Sequence, residues 1–158
     1  MKTALILTLL VFSAFGLKPA AARNNSSGAL VNFIYNFPKM VEGGKGGLCV
    51  YGYDQIAVSI RDNYQDVKFF GNEKDLNNKT LKAHKCGATY IAKNRYSADV
   101  FNKISGVVTI GTEDNFVDKG GMVLIQMGRR SFDLSINRET LTESGVRLDP
   151  LIESFIVN

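Results

Sequence analysis

Between Leu48 and Gln126 the sequence alternates short apolar runs with longer amphipathic stretches, and this alternation strongly constrains the fold. Short β-branched or aromatic runs without polar alternation are typical of strands that are covered on both faces. Strands that alternate with helices form a largely parallel sheet, in which right-handed crossovers place helices on both faces. The sequence predicts strands at 48–52, 67–71, 88–92, 107–111 and 122–126, and helical stretches at 54–62, 73–82, 97–104 and 113–119.

A hairpin follows the fifth predicted strand. In its second arm, residues 132–136, apolar and polar side chains alternate with the period of two that puts one face on the core and one in water. Gly128 in the turn can supply a positive φ, and Asn137 after the arm suits the N-cap of a helix that ends near Gly145. We therefore expect this arm to be an edge strand that pairs antiparallel with its neighbour.

These elements predict an α/β fold of three layers. Its mostly parallel sheet has the strand order 2-1-3-4-5, with the hairpin arm added at the edge and helices on both faces. Ahead of the sheet, a stripe at helical spacing predicts an amphipathic helix that ends or kinks at Pro38. The stripe consists of Leu30, Phe33, Ile34, Phe37 and Val41.

The first 22 residues have the pattern of a cleaved export signal. Lys2 precedes an apolar stretch of 14 residues, and Ala22 closes a run of three alanines of the kind a signal peptidase reads. A membrane span needs about 20 apolar residues, so an anchor fits less well. We expect a signal peptide at 1–22, a polar and mobile stretch at 23–28, and a single domain at 29–158.

Export determines how the two cysteines are interpreted. In an oxidising compartment Cys49 and Cys86 are expected to pair, and closing a loop of this length stabilises a fold by about 4 kcal/mol. The predicted strand order brings both to the amino ends of adjacent strands, which agrees with a bridge. The alternative is a metal site that adds His84, the only histidine, but it has at most three ligands and lacks a paired C-x-x-C spacing.

Enzyme and nucleic-acid functions find little support. Without residues 1–22 the chain carries 17 basic and 15 acidic residues, and the basic ones are scattered. Phosphate-loop, dinucleotide-binding and serine-elbow motifs are absent, and the third strand does not end in the aspartate that a phosphoryl-accepting receiver domain needs. We predict a non-enzymatic protein without cofactor, metal or nucleic-acid partner.

One small-ligand site is predicted from the topology. In an open parallel sheet, ligands bind beyond the carboxyl ends of the strands, where the strand order reverses, which here lies between the first and third strands. The simpler interpretation of the residues that reach this crevice is that they are solvated loop residues. They are Tyr53, Asp54, Lys93, Asn94 and Arg95.

Several blocks in a fixed order resemble the YfiR family of bacterial periplasmic proteins. They are the segment 33–42 (FIYNFPKMVE), the strand 48–52, Cys86 just ahead of 88–92, the Gly-Gly-Met at 120–122 with its hairpin, and the final apolar run 151–157. The resemblance spans roughly residues 29–157 and supports the cysteine bridge. Two features of many members are missing, a tryptophan and proline near 43–47 and a second cysteine pair.

The resemblance implies a regulatory role. Known YfiR family members bind the sensor region of an inner-membrane diguanylate cyclase and hold down cyclic-di-GMP synthesis, which regulates biofilms. An outer-membrane lipoprotein or envelope stress releases this repression, and members of the family can form homodimers. By resemblance this chain is expected to be a periplasmic repressor of such a cyclase.

The hairpin is the predicted surface for a protein partner, because an edge strand offers unpaired backbone groups and arginines can meet acidic partners. This surface consists of Arg129, Arg130, Ser131, Asp133 and Ser135. The alternative function is a soluble small-molecule binder that uses the crevice and feeds another envelope receptor.

Overall fold

The computed structural model describes residues 25–128 and 131–156, and within them the side chains of residues 25, 26, 153 and 154 are not described. In this part of the chain six strands form one sheet in the order β2-β1-β3-β4-β5-β6. The first five are parallel, and β6 pairs antiparallel with β5. The predicted fold class and strand order are confirmed. The strands are β1 Gly47–Tyr51, β2 Lys68–Phe70, β3 Cys86–Ile91, β4 Val108–Gly111, β5 Val123–Met127 and β6 Phe132–Ile136.

Helices cover both faces of the sheet, and the sheet divides the core into two layers. The side chains of α1 and α2 pack on one face with the C-terminal segment, and those of α3 and α4 pack on the other. The helices are α1 Asn25–Asn36, α2 Gln55–Asn63, α3 Asn78–Ala83, α4 Ala98–Asn102 and α5 Arg138–Glu143, with short 3-10 turns at Phe37–Met40, Glu73–Asp75 and Pro150–Phe155.

The N-terminal helix follows its apolar stripe. Ile34 and Phe37 are fully buried, and Pro38 lies where the α-helix gives way to the 3-10 turn, as its missing amide requires. The helix begins at Asn25, so it includes residues 25–28, which the sequence analysis placed in a mobile stretch. The residues expected to form the signal peptide lie outside the described part of the chain.

The crossover between β4 and β5 differs from the sequence prediction. Residues 113–120 form consecutive turns rather than a helix. The amide of Phe116 donates to the carbonyl of Glu113 over 2.9 Å, whereas the amide of Gly121 donates to the carbonyl of Phe116 over 3.0 Å. The Phe116 ring is fully buried, and a Cβ at Gly111 or Gly121 would come within 2.2 Å of it. A crossover this short, anchored by a buried ring, has no room for a regular helix.

The predicted disulfide is present. Cys49 and Cys86 are bonded, with their Cα atoms 5.6 Å apart. Cys86 opens β3 and lies opposite Gly47, while Cys49, the third residue of β1, lies opposite Thr89 because the register shifts after Gly47. The bridge therefore ties the two central parallel strands together near their amino ends.

Candidate functional site

Asp54 occupies the centre of the cluster at the carboxyl ends of the strands. It is the N-cap of α2, because its Oδ1 accepts from the amide of Ala57 over 2.8 Å. Its Oδ2 accepts from the hydroxyl of Tyr90 and from the amide of Lys93, both over 2.8 Å. One carboxylate thus fixes the start of a helix, the end of β3 and the loop that follows it.

Tyr90 extends this cluster into the core. Its side chain is fully buried, and burial, followed by the charge of Asp54, raises the pKa of its phenol far above the ordinary value. Its hydroxyl donates to Asp54 and lies 3.3 Å from the Oγ1 of Thr112, from which it can accept. The chain of three groups links the ends of β1, β3 and β4 through a neutral phenol.

A second group of contacts surrounds Glu113, directly after β4. Its carboxylate accepts a hydrogen bond from the hydroxyl of Tyr96 and lies 3.2 Å from the ammonium of Lys93. The hydrogen bond from Tyr96, followed by the contacts with Lys93, lowers the pKa of Glu113 below its usual value. Burial and the same hydrogen bond raise the pKa of Tyr96 to about 12. Glu113 is therefore held as a carboxylate.

Neighbouring side chains enclose Tyr96. Its hydroxyl also lies 2.6 Å from the Oδ1 of Asn115, and the ammonium of Lys119 lies 5.1 Å from its ring centroid. A cation at this distance is attracted by the ring face. A cavity of about 360 Å³ remains beside this group, and the residues that line it are Lys93, Thr112, Glu113, Asp114 and Asn115.

The five crevice residues predicted from the sequence lie at this end of the sheet but point to different neighbours. Asp54 faces Tyr90, and the Lys93 ammonium turns toward β4. Tyr53 is 53% exposed and stacks on Phe69 of the edge strand β2, with ring centroids 6.5 Å apart.

The last two crevice residues shape the loop after β3. Asn94 has φ of 60°, the left-handed conformation that asparagine tolerates. The Arg95 side chain lies over Gly52, where a Cβ would come within 2.5 Å of the Arg95 Cγ. Contact between Asp54 and the backbone of Lys93 joins two of the five, and the ligand-binding role of the set stays a prediction.

Four members of this cluster were not predicted from the sequence: Tyr90, Tyr96, Thr112 and Glu113. Thr112 and Glu113 follow β4 just as Asp54 follows β1, and the carboxyl ends of parallel strands lie at one edge, so their position carried a usable signal. Tyr90 lies within an apolar strand, and nothing in its sequence neighbours indicates that its hydroxyl reaches Asp54.

The hairpin predicted to contact a partner has the expected antiparallel pairing of its two arms. Gly128 has no positive φ, so that prediction is wrong. A Cβ there would come within 2.6 Å of the Asp133 carboxylate, so a side chain at this position would require the Asp133 side chain to move. Arg129 and Arg130 lie outside the described residues. Ser131 is exposed, and Asp133 and Ser135 are partly buried.

The outer side of β6 is partly occupied. Leu134 forms a parallel bridge with Ile156 of the C-terminal segment, so part of the edge already has a backbone partner. At the hairpin end Met127 is 45% exposed and contributes apolar surface there. The accessible part of the edge is thus the end nearest the turn.

Neither a metal centre nor a spanning helix is found among residues 25–128 and 131–156. In that part of the chain no group of three or more His, Cys, Asp or Glu residues is placed to hold a metal ion. The helices described there are also too short or too polar to cross a bilayer.

The strand order and the cluster at the strand ends define a flavodoxin-like α/β domain whose polar groups at the topological switch point are bonded to one another. Residues 29–152 match the family described as YfiR/HmsC-like. The chain therefore belongs to the YfiR/HmsC-like family, which confirms the resemblance seen in the sequence. No curated protein matches the chain.

Proposed function

We propose that this protein is a non-enzymatic periplasmic regulator that binds the sensor region of an inner-membrane diguanylate cyclase and represses cyclic-di-GMP synthesis. The observation that carries the proposal is the family match, which covers residues 29–152 and hence nearly all of the described domain. The cyclase is proposed as the partner because known members of the YfiR family bind such a cyclase. The release of repression by an outer-membrane lipoprotein and the formation of a homodimer are expectations of the same resemblance.

Two features support an exported location. The bond between Cys49 and Cys86 suits an oxidising compartment, where disulfides form and persist. Residues 1–22 have the charge, apolar run and small residues of a signal peptide, with cleavage after Ala22. The mature protein would then begin at Arg23.

The chemistry of the carboxyl-end cluster supports a role without catalysis. Asp54 accepts three hydrogen bonds from within the protein, and Glu113 is bound by Tyr96 and Lys93. A general base needs an acceptor that can reach a substrate proton, and these carboxylates are occupied by internal donors. The cluster serves to hold the loops after β1, β3 and β4 in one arrangement.

The hairpin end of β5 and β6 is the proposed contact with the cyclase. An edge strand offers backbone groups to a partner strand, and Met127, two residues ahead of Arg129 in the sequence, adds exposed apolar area. Repression requires that the protein bind the inactive state of the cyclase more tightly than the active state, since equal affinity shifts nothing.

A binding experiment with purified proteins tests this surface. The mature protein is titrated onto the immobilised periplasmic sensor region of the cyclase, and Arg129→Glu with Arg130→Glu is expected to weaken binding at least tenfold. Arg61→Glu is the matched control, because Arg61 is an exposed arginine of α2. Unchanged affinity in the hairpin variant would remove the hairpin from the proposal, and an absence of binding by the unaltered protein would refute the cyclase as partner.

A further inference from the structure

A pocket at the amino ends of the strands has the features of an anion site. Its volume is about 530 Å³, and it lies at the end of the sheet opposite Asp54 and Glu113. We call it the lysine pocket, and the lining residues used below are Lys45, Lys82, Lys85, Asn78, Ser105 and Cys86. Lysines are the only charged side chains that line it, and no carboxylate does.

The three lysines come from separate segments of the chain. Lys45 belongs to the glycine-rich connector before β1, Lys82 to the last turn of α3, and Lys85 to the residue just before β3. In the described part of the chain their ammonium groups make no ion pair or hydrogen bond. Like charges around one pocket repel one another, and an anion bound among them would relieve this repulsion.

Acidic groups of the flanking segments are engaged elsewhere. Glu42, at the start of the connector, lies 3.9 Å from Arg147, and Glu73 pairs with Lys103. Neither carboxylate lines the lysine pocket. The positive charge of the pocket is therefore not neutralised by the described residues around it.

The backbone holds the connector against the turn before β3. The amide of Gly47 donates to the carbonyl of Lys85 over 2.9 Å, and a Cβ at Gly46 would come within 2.6 Å of the Gly87 nitrogen. Lys85 itself has φ of 53°, the left-handed conformation that commonly ends a helix, and it directly follows the C-cap of α3. This packing of the backbone holds Lys45 and Lys85 at the same pocket.

The opposite wall supplies a hydroxyl donor. The side-chain amide of Asn78 donates to the Oγ of Ser105 over 2.6 Å, and the backbone amide of Ser105 donates to the Oδ1 of Asn78 over 2.6 Å. Because the Ser105 hydroxyl accepts from Asn78, its own proton remains available to an acceptor in the pocket. Cys86 is part of the disulfide, so its sulfur has no proton or charge to contribute.

We propose that the lysine pocket binds a phosphate monoester, either a free small metabolite or the headgroup of phosphatidic acid. Three ammonium groups and one hydroxyl match a group that carries about −1.5 to −2 charge and three acceptor oxygens. Lysines bind phosphate as point charges and do not need the planar, bidentate geometry with which arginine pairs with carboxylates and phosphates. The cavity exceeds the volume of a single phosphate group, which leaves room for the organic part of the ester. This proposal is independent of the cyclase.

The test is a titration of the isotopically labelled mature protein with glycerol 3-phosphate at low ionic strength, followed by its amide resonances. Saturable shifts are expected at Gly46, Ser105 and Gly106. Lys82→Gln and Lys85→Gln are each expected to weaken binding about tenfold, because each removes a charge-assisted hydrogen bond. Both residues are exposed, so these variants should fold. Arg61→Gln is the control, because it removes one positive charge from α2, which packs on the opposite face of the sheet from α3. This variant should bind glycerol 3-phosphate as tightly as wild type.

A parallel arm identifies the source of the phosphate. Co-sedimentation is measured with phosphatidylcholine vesicles with and without phosphatidic acid. Binding of glycerol 3-phosphate with the expected variant pattern supports a free ester, and binding only to phosphatidic acid vesicles, again lost in Lys82→Gln and Lys85→Gln, supports a lipid headgroup. If neither probe gives saturable binding, or if Arg61→Gln weakens binding as much as the pocket variants, the proposal is overturned.

Discussion

Replacing Asp54 with alanine tests whether this carboxylate holds the fold together. The change removes the N-cap of α2, which costs about 1 kcal/mol. It also leaves the buried hydroxyl of Tyr90 without its acceptor, which costs about 1 to 3 kcal/mol, although Thr112 offers partial compensation. We therefore expect the free energy of unfolding to fall by roughly 2 to 4 kcal/mol.

The assay is urea denaturation followed by circular dichroism with the disulfide intact, and variants at the partner residue apportion the loss. Tyr90→Phe removes the hydroxyl alone, and the Asp54→Ala and Tyr90→Phe pair forms a double-mutant cycle. Because the two groups share a hydrogen bond, the cycle should give a coupling of about 1 kcal/mol. A loss below about 0.5 kcal/mol for Asp54→Ala would refute the reasoning, since surface substitutions fall in that range.

Three further predictions concern Glu113, Gly121 and Tyr53. The pKa of Glu113 is lower in the folded protein than in the unfolded chain, so its stabilising effect is complete above the unfolded value of about 4.3 and is lost as the pH falls through the folded value. The stability difference between wild type and Glu113→Gln in urea titrations should therefore shrink below about pH 4. A constant difference from about pH 3 to 7 would contradict this. Gly121→Ala should destabilise the protein by about 1 to 3 kcal/mol because its Cβ meets the Phe116 ring, whereas the same change at Gly28, where nothing lies within 4 Å, should be neutral or stabilising in thermal unfolding. If the carboxyl-end crevice binds a metabolite, a thermal-shift screen will find a compound that raises the melting temperature of wild type and not of Tyr53→Ala, and a flat screen would count against that site.

The strand order was predictable because each element has a local pattern and few topologies satisfy the rules for parallel sheets. The runs around β1, β3 and β4 lack polar alternation, and all three strands are buried. The right-handed crossover rule then limited the possible orders, and the positions of Cys49 and Cys86, which were not used to choose the order, agree with β1 next to β3. The N-cap at Asn137 was likewise predictable, because asparagine is favoured at this position. Its side chain accepts from the amide of Thr140, three residues along the chain.

The features that the sequence did not reveal depend on contacts between distant residues. Residues 113–119 have the composition of a short helix, but burial of Phe116 against Gly111 and Gly121 imposes turns instead. The close approach of position 128 to the Asp133 carboxylate likewise depends on the facing strand and not on the local sequence.

The same limit applies to the candidate sites. The sequence placed Asp54 and Lys93 at one edge of the sheet, but side-chain directions determine that Asp54 turns to Tyr90 and Lys93 to Glu113. The lysine pocket escaped the sequence analysis because its three lysines lie far apart in a chain whose basic residues appear scattered. Only the packing of the connector against the turn before β3 brings Lys45 near Lys85.

Intracellular cyclic-di-GMP in a strain that lacks this gene is the most direct test of the proposed function. The account predicts that the level rises in the deletion strain and returns to the parental value when the full chain is supplied. A complementing gene without residues 1–22 is the control and should fail to restore the level, because its product is not exported. An unchanged level in the deletion strain, or full restoration by the product without residues 1–22, would contradict the account.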